Sequence, residues 1–168
     1  MAGGHGAQPF PIRFANELEV VVFPETIWSL LVDPKAWPSF YPGVEHVQLL
    51  DRHDSLRLGT RFATNLAGQD VFASVREFKP MTRIAWGGYP KVSEESKAYH
   101  GWAITPTPNG CHLWTEETMH GPHWIEMAKK LPMPYGAPPR NFLQISPRSR
   151  ANAKAVATKL LSPSGGLG

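Results

Sequence analysis

Six segments that alternate between apolar and polar residues follow one another along the middle of the chain, joined by short turns. They cover residues 44–50, 60–66, 71–78, 82–86, 99–105 and 111–119. Alternation with a period of two residues is typical of half-buried β-strands. Parallel neighbours need crossover connections of about a dozen residues or more, so the short turns predict an antiparallel meander. Gly87-Gly88 is predicted to end the fourth of these strands, and Asn109-Gly110 to form the last hairpin turn.

A further strand and two short helices are predicted ahead of the meander. Residues 15–22 alternate as a strand. Pro24 and Glu25 then mark a helix start, because proline at the first helical position loses no hydrogen bond and a carboxylate complements the helix dipole there. Asp33-Pro34 ends this helix and begins a second, which we expect to run to Phe40. Asp is a good N-cap, and proline keeps the residue before it out of the α conformation.

The alternation stops after the last strand. Residues 123–130 are predicted to form one or two helical turns, and residues 131–139 a proline-rich connector. Ser146 as N-cap and Pro147 at the first helical position then open a predicted helix that ends before Ser162. This is the late stretch with enough length for a substantial helix.

The chain length fits one domain. Its 168 residues are 42% hydrophobic, which allows roughly 70% of the unfolded surface to be buried. We place the domain at residues 15–161, between a flexible N-terminal arm at 1–14 and a flexible tail at 162–168, because both ends lack a hydrophobic period.

The charge balance and the single cysteine narrow the function classes. The 17 Lys and Arg residues against 14 Asp and Glu leave a net charge of +3, which is too small for a nucleic-acid-binding surface. Cys111 cannot form an internal disulfide, and no apolar run is long enough to span a membrane or to serve as a signal peptide. We therefore expect a cytoplasmic protein that binds neither nucleic acid nor a membrane.

The order of these elements resembles the helix-grip, or START-like, fold. Four motifs are similar to those of the polyketide cyclase/dehydrase branch of that superfamily. They are VFPETIW at 22–28; D-x-x-x-W at 33–37 with FYPGV at 40–44; FKP at 78–80 with IAW at 84–86; and a last hairpin with HGWAITP at 100–106, NGCHL at 109–113 and ETMHG at 117–121. The resemblance covers residues 17–121. The chain departs from the family pattern beyond that point, where prolines interrupt the usual long C-terminal helix.

The resemblance implies an α+β helix-grip fold, in which a curved seven-stranded antiparallel sheet wraps around the C-terminal helix and encloses an apolar cavity. It implies a cyclisation or dehydration reaction on a small apolar or aromatic compound. The alternative is a non-catalytic carrier of a lipid-like or polycyclic ligand, and a protein-interaction module comes third. We expect no cofactor and a monomer or a homodimer. No metal is expected either, since the spacing of His120 and His123 relative to Cys111-His112 does not match zinc sites.

The last two strands carry the candidate bases for such a reaction. Alternation places His100 on the same face as the apolar residues of its strand, and Glu117 on the face of Leu113, which we expect to point inward. Glu117 or His100 is therefore the predicted general base. The alternative for Glu117 is an ordinary strand carboxylate paired with Arg76 or Arg83, and for His100 a hydrogen-bonded or exposed histidine.

The reaction also needs a group that holds the developing oxyanion, and aromatic walls that orient the substrate. The candidates for the oxyanion are Tyr89, Arg83 and His120. Trp86 and Trp102 are predicted to stack on a planar substrate. The full set of predicted ligand-binding residues is aromatic: Trp37, Phe40, Tyr41, Trp86, Trp102 and Trp124.

Overall fold

A computed structural model gives the structure of the chain and describes residues 12–41, 44–66 and 68–130. The elements are strand β1 (Ile12–Val20), helix α1 (Pro24–Val32), a 3-10 helix (Pro34–Ser39), strands β2 (Val44–Leu49), β3 (Arg61–Leu66), β4 (Gln69–Lys79), β5 (Arg83–Pro90), β6 (Lys97–Thr107) and β7 (Gly110–His120), and helix α2 (Pro122–Lys130). The seven strands form one curved sheet in the order β1-β7-β6-β5-β4-β3-β2, and all neighbours are antiparallel. The predicted α+β meander is confirmed.

The predicted chain ends fall largely beyond this description. Residues 1–11 of the predicted arm, the connector at 131–139, the helix from Pro147 and the tail at 162–168 lie outside the described residues. The boundary of the arm changes, because β1 begins at Ile12 and pairs with β7 from there. Within the described part of the chain, no helix has the length and apolar character needed to cross a membrane.

The two short helices form where proline and aspartate predicted them. Helix α1 begins at Pro24 and buries Ile27, Trp28 and Leu31 against the sheet. Asp33 caps the next helix, since its Oδ1 accepts a hydrogen bond from the backbone N–H of Lys35 at 3.0 Å. That second helix has 3-10 geometry, which suits a segment with another proline inside it.

The sheet face that packs against α1 and the 3-10 helix is called the inner face here. It carries Ile84, Trp86, Trp102, Ile104 and Leu113, all of them buried. The opposite side is called the outer face. Alternation along the strands decides which side chains reach the inner face, except across the register shifts between Val44 and His46 in β2 and between Val75 and Glu77 in β4.

The Gly87-Gly88 pair lies inside β5 and does not end it, so this part of the strand prediction was wrong. A Cβ atom on Gly88 would come within 2.2 Å of the backbone oxygen of Phe72 on β4. Glycine is used here for close approach of two strands, which a sequence pattern cannot separate from a turn. The strand therefore continues to Pro90.

The last hairpin is confirmed, although its turn is shifted by one residue. Pro108 and Asn109 form the two-residue turn, and Gly110 opens β7 opposite Thr107. A Cβ on Gly110 would lie 2.0 Å from the backbone oxygen of Val20. This glycine therefore lets the β6–β7 hairpin close against the end of β1.

Candidate functional site

The inner face holds a mostly apolar cavity of about 70 Å³, bounded by the sheet, the end of the 3-10 helix and helix α2. Its walls include Trp37, Tyr41, Trp86, His100, Glu117 and Trp124. Pockets that hold drug-sized ligands usually measure roughly 300–1,000 Å³. A ligand of several rings therefore enters this cavity only when part of the wall moves.

His100 and Glu117 lie directly opposite each other on β6 and β7. Both side chains face inward as predicted, with exposed fractions of 8% and 7%. Directly opposed residues on one face of an antiparallel pair have Cβ atoms roughly 4.5–5.5 Å apart. The sheet thus brings an imidazole and a carboxyl group to the same wall of the cavity.

Two hydroxyl groups orient the His100 ring. Tyr41 Oη lies 2.6 Å from Nδ1 and 3.2 Å from Nε2, and Thr115 Oγ1 lies 2.9 Å from Nε2. A hydroxyl group can donate or accept a hydrogen bond, so either neutral tautomer of the imidazole finds partners here. The arrangement lets His100 pass a proton to or from Tyr41 without turning its ring.

Aromatic rings pack around His100 and keep its surroundings apolar. The Trp102 ring stacks on the imidazole with centroids 5.6 Å apart and an angle of 15° between planes. Trp86 lies 5.2 Å from the imidazole and 4.8 Å from Trp37. Trp37 itself donates its indole N–H to the backbone oxygen of Leu31, which fixes the ring at the cavity wall.

Two of the predicted ligand-binding residues stand behind the wall. Trp102 is fully buried and stacks on the imidazole without lining the cavity. Phe40 packs beside Tyr41 in the core, with ring centroids 6.4 Å apart. Phe40 and Trp102 therefore contact residues that line the cavity but do not line it themselves. The four predicted ligand-binding residues that line it are Trp37, Tyr41, Trp86 and Trp124.

The three predicted oxyanion residues lie on the outer face, away from His100 and Glu117, so the fold does not bring them to the cavity. Arg83 and Tyr89 alternate with the inward Ile84 and Trp86 on β5. His120 is exposed at the end of β7. It lies three positions after Glu117, so its side chain points to the opposite face of the sheet. The same alternation that placed Glu117 inward could have excluded all three.

Arg83 is occupied on the outer face by a polar cluster. Its Nε donates to Glu77 at 2.5 Å, and its guanidinium also contacts Tyr99 at 2.7 Å and Glu116 at 3.5 Å. Tyr99 in turn donates its hydroxyl proton to Glu77 at 2.6 Å. Arg83, one of the two alternative partners predicted for Glu117, is therefore paired with other carboxylates.

These contacts change the ionisation of the cluster. The hydrogen bond to Glu77 raises the pKa of Arg83, and the hydrogen bonds from Arg83 and Tyr99 lower the pKa of Glu77. Burial and the bond to Glu77 raise the pKa of Tyr99 to about 12. The cluster stays ionised as Arg⁺ and Glu⁻ around a neutral phenol over the whole physiological pH range.

Sequence reasoning missed two contributions to the site. Tyr41 was predicted only as an aromatic wall, and its hydroxyl contact with His100 was not foreseen. Thr115, which lies on the same face as Leu113 and Glu117, was given no role. No local pattern links Tyr41 to a strand 59 positions later, whereas the position of Thr115 between Leu113 and Glu117 on one face was available from alternation.

The described residues contain no group of three His, Cys, Asp or Glu side chains that is arranged to hold a metal ion. Cys111 is buried, and its burial raises the pKa of the thiol. The chemistry that this cavity offers is hydrogen bonding and proton transfer by Tyr41, His100 and Glu117.

Comparison with protein families gives one match over more than half of the chain. The model of the family described as "Polyketide cyclase / dehydrase and lipid transport" matches residues 21–113. A search of curated proteins finds no match. The matched segment runs from the end of β1 into β7 and includes Tyr41 and His100.

Solved structures with the same fold cover nearly the whole chain. The hypothetical protein jhp0584 from Helicobacter pylori aligns over 92% of this chain and 90% of its own, with a TM-score of 0.65 and 17% identity. Truncated norcoclaurine synthase from Thalictrum flavum aligns over 92% and 96%, with a TM-score of 0.63 and 15% identity. DynU16, from the dynemicin biosynthetic locus, aligns over 89% of this chain and 47% of its own, with a TM-score of 0.61 and 13% identity. These likenesses confirm the predicted helix-grip fold.

Proposed function

Because the chain belongs to the polyketide cyclase/dehydrase and lipid transport family, we propose that it is a cyclase or dehydratase that acts on an apolar or aromatic carbonyl compound in the inner cavity. The observation that carries the proposal is the hydrogen-bonded set of Tyr41, His100 and Thr115 on the same wall as Glu117. The proposal is supported by two proteins of the same fold, namely norcoclaurine synthase, which is a synthase, and DynU16, which comes from a biosynthetic locus.

Ring closure by aldol chemistry requires two proton transfers. A base removes a proton from the carbon next to a carbonyl group, and the resulting enolate forms a carbon–carbon bond to a second carbonyl carbon. Glu117 or His100 is the proposed base. The alkoxide that forms takes a proton from Tyr41. When His100 is the base, the proton that it removed from carbon passes across the 2.6 Å contact to the Tyr41 oxygen. When Glu117 is the base, it releases its proton to the solvent, and Tyr41 regains one from the solvent through His100. General acid–base catalysis of this kind accelerates reactions by roughly 10²–10⁴-fold.

The dehydration step uses the same groups in a second round. The base removes the remaining proton beside the carbonyl, and the hydroxyl group leaves as water after it receives a proton. The apolar walls favour this chemistry, because electrostatic interactions are stronger where water is excluded. Trp37 and Trp86 offer ring faces on which a planar substrate stacks.

Turnover of a panel of aryl β-diketones and poly-β-ketones tests the proposal. Glu117→Gln and His100→Ala are expected to reduce turnover by about 10²-fold or more when the fold is intact. Glu116→Gln and His112→Ala serve as matched controls, because these neighbours lie on the outer face. Full turnover in both inner variants would contradict the assignment.

The second candidate function is a carrier that binds a ligand without changing it. It is favoured by the mostly apolar walls of the cavity and by the lipid transport in the description of the family. Under this alternative, a bound compound is recovered unchanged, and Glu117→Gln weakens binding without affecting any reaction. Recovery of the ligand after incubation with wild-type protein separates the two functions.

A further inference from the structure

Trp124 carries a buried indole N–H group that has no hydrogen-bond acceptor among residues 12–41, 44–66 and 68–130. The side chain has an exposed fraction of 8%, and its Nε1 is one of two buried side-chain polar atoms without a partner among the described residues. Trp124 lines the cavity together with Tyr41, His100 and Glu117. The donor therefore belongs to the wall of the proposed site.

Buried donors in folded proteins nearly always have an acceptor, since an unpaired one loses its hydrogen bonds to water without replacement. Such an exception in a native structure calls for a physical reason. A wall position offers one, because a bound ligand brings its own acceptor atom into the cavity. The second unpaired donor, Trp102, has no such use, since that side chain is fully buried behind His100.

The segment around Trp124 is held firmly in place. The backbone N–H of His123 donates to Ser96 Oγ at 3.0 Å, and His123 Nε2 lies 2.9 Å from Gln69 Oε1. The His123 ring also packs edge-on against Trp124, with centroids 5.0 Å apart. These contacts join the start of α2 to the loop before β6 and to β4, so the indole is presented by a fixed backbone.

We infer that the indole N–H of Trp124 donates a hydrogen bond to an oxygen of the ligand that occupies this cavity. The inference rests on the proposed function in one respect, namely that this cavity is the ligand site. It narrows the ligand class to compounds with a carbonyl or hydroxyl oxygen on an otherwise apolar, ring-containing body. Trp124 then determines specificity, because it distinguishes an oxygenated ligand from a hydrocarbon of the same shape.

The indole proton itself provides the test. The full chain labelled with ¹⁵N is titrated with 1-tetralone and, separately, with tetralin, which has the same ring system without the oxygen. The six tryptophans give six indole signals, and the signal of Trp124 is the one absent from Trp124→Phe. We expect a downfield shift of this signal with the ketone and not with the hydrocarbon.

Affinities of the variant complete the experiment. Trp124→Phe keeps an aromatic ring but removes the donor, so the affinity for 1-tetralone is expected to fall about 3–10-fold. The affinity for tetralin should stay within about twofold. Trp28→Phe makes the same chemical change in the core, against Phe78 and away from the cavity, and should change neither affinity.

Two outcomes of these titrations would contradict the inference that the Trp124 indole N–H binds a ligand oxygen. Equal losses for both compounds would show that Trp124 contributes shape alone, and binding of the ketone without a shift of the Trp124 signal would show that its N–H stays unpaired. If Trp124→Phe fails to fold, triple-resonance assignment of the wild-type spectrum identifies the Trp124 indole signal, and its shift then decides. Failure of both compounds to bind overturns the choice of cavity. Absence of Glu117-dependent turnover, with the Trp124 shift present, overturns the proposed enzyme alone and leaves the inference about the indole N–H valid for a carrier.

Discussion

Tyr41 and His100 are 59 positions apart in the sequence, and the fold brings the phenol oxygen to within 2.6 Å of the imidazole Nδ1. Tyr41 follows the 3-10 helix, whereas His100 lies in the middle of β6. The contact therefore joins the segment that covers one end of the sheet to the strand that carries the candidate base. Its two partners are both buried, so the hydrogen bond forms in apolar surroundings.

Removal of the Tyr41 hydroxyl tests this pair. Tyr41→Phe retains the ring and is expected to lower turnover by about 10-fold or more, because the proposed proton donor is lost. The imidazole ¹⁵N shifts of His100 should also change, since its tautomer loses a partner. Tyr89→Phe is the control on the outer face. Unchanged ¹⁵N shifts of His100 in Tyr41→Phe would contradict a hydrogen bond between Tyr41 and His100.

Thr115→Val removes the other hydroxyl contact of His100 while keeping a similar shape. We expect the free energy of unfolding to fall by about 1 kcal/mol, the usual net value of one buried hydrogen bond. Urea denaturation followed by circular dichroism measures the change. Thr118→Val, at a neighbouring outward position on β7, should cost less. A larger loss at Thr118 would argue against the role of Thr115.

A substitution in the Arg83 cluster is expected to lower the stability of the protein without lowering its activity. Arg83→Met should lower the free energy of unfolding by about 1 kcal/mol, since the ion pairs are partly exposed and solvent weakens them. Turnover should be unchanged, because Arg83 lies on the face opposite Glu117. Parallel urea denaturation and activity assays check both parts. If Arg83→Met is stable but inactive, Arg83 takes part in the reaction after all.

Tyr99 gives a pH dependence with a definite sign. The unfolded phenol ionises near pH 10, whereas the folded one keeps its proton until about pH 12. Between these values the folded state binds more protons than the unfolded state, so stability falls as the pH rises. Urea midpoints of wild type and Tyr99→Phe, compared between about pH 9.5 and 11.5, should converge over this range. Parallel curves would show that the pKa of Tyr99 is not raised.

Two glycines with positive φ separate backbone strain from crowding. Gly59 has φ of +81° and open space around it, so Gly59→Ala should cost about 1–2 kcal/mol through strain alone. Gly121 has φ of +106°, and a Cβ there would lie 2.6 Å from Ser96 Cα. Gly121→Ala should cost more and should also weaken ligand binding, because α2 and Trp124 would shift. Thermal unfolding and a ligand titration of both variants measure the difference.

Alternation along the strands carried most of what the sequence could predict. It placed His100 and Glu117 on the inner face correctly, because each strand has one buried side and its apolar residues identify that side. The oxyanion candidates Arg83 and Tyr89 lie outside the cavity, and the reason is of a different kind. Arg83 and Tyr89 were selected for their chemistry without applying the parity that Trp86 had already fixed.

Contacts across the fold were beyond reach of any local pattern. The approach of Tyr41 to His100 depends on the order of the strands and on how the 3-10 helix crosses the sheet. The unpaired N–H of Trp124 is a property of packing around α2, and no sequence signal marks it. The role of Gly88 likewise depends on the neighbouring strand, since the same dipeptide is typical of turns.

The indoles of Trp86 and Trp102 both lie next to the His100 imidazole, with ring centroids 5.2 and 5.6 Å away. A protonated imidazole quenches the fluorescence of an adjacent indole much more than a neutral one does. The emission of the unlabelled chain should therefore respond to the charge of His100 as well as to that of His123, which packs against Trp124. The part of the response that is lost in Trp86→Phe and Trp102→Phe belongs to His100. Stopped-flow mixing with a ligand would then follow protonation and deprotonation of His100 as a change in tryptophan fluorescence. The measurement is made in real time and needs no chromophoric substrate.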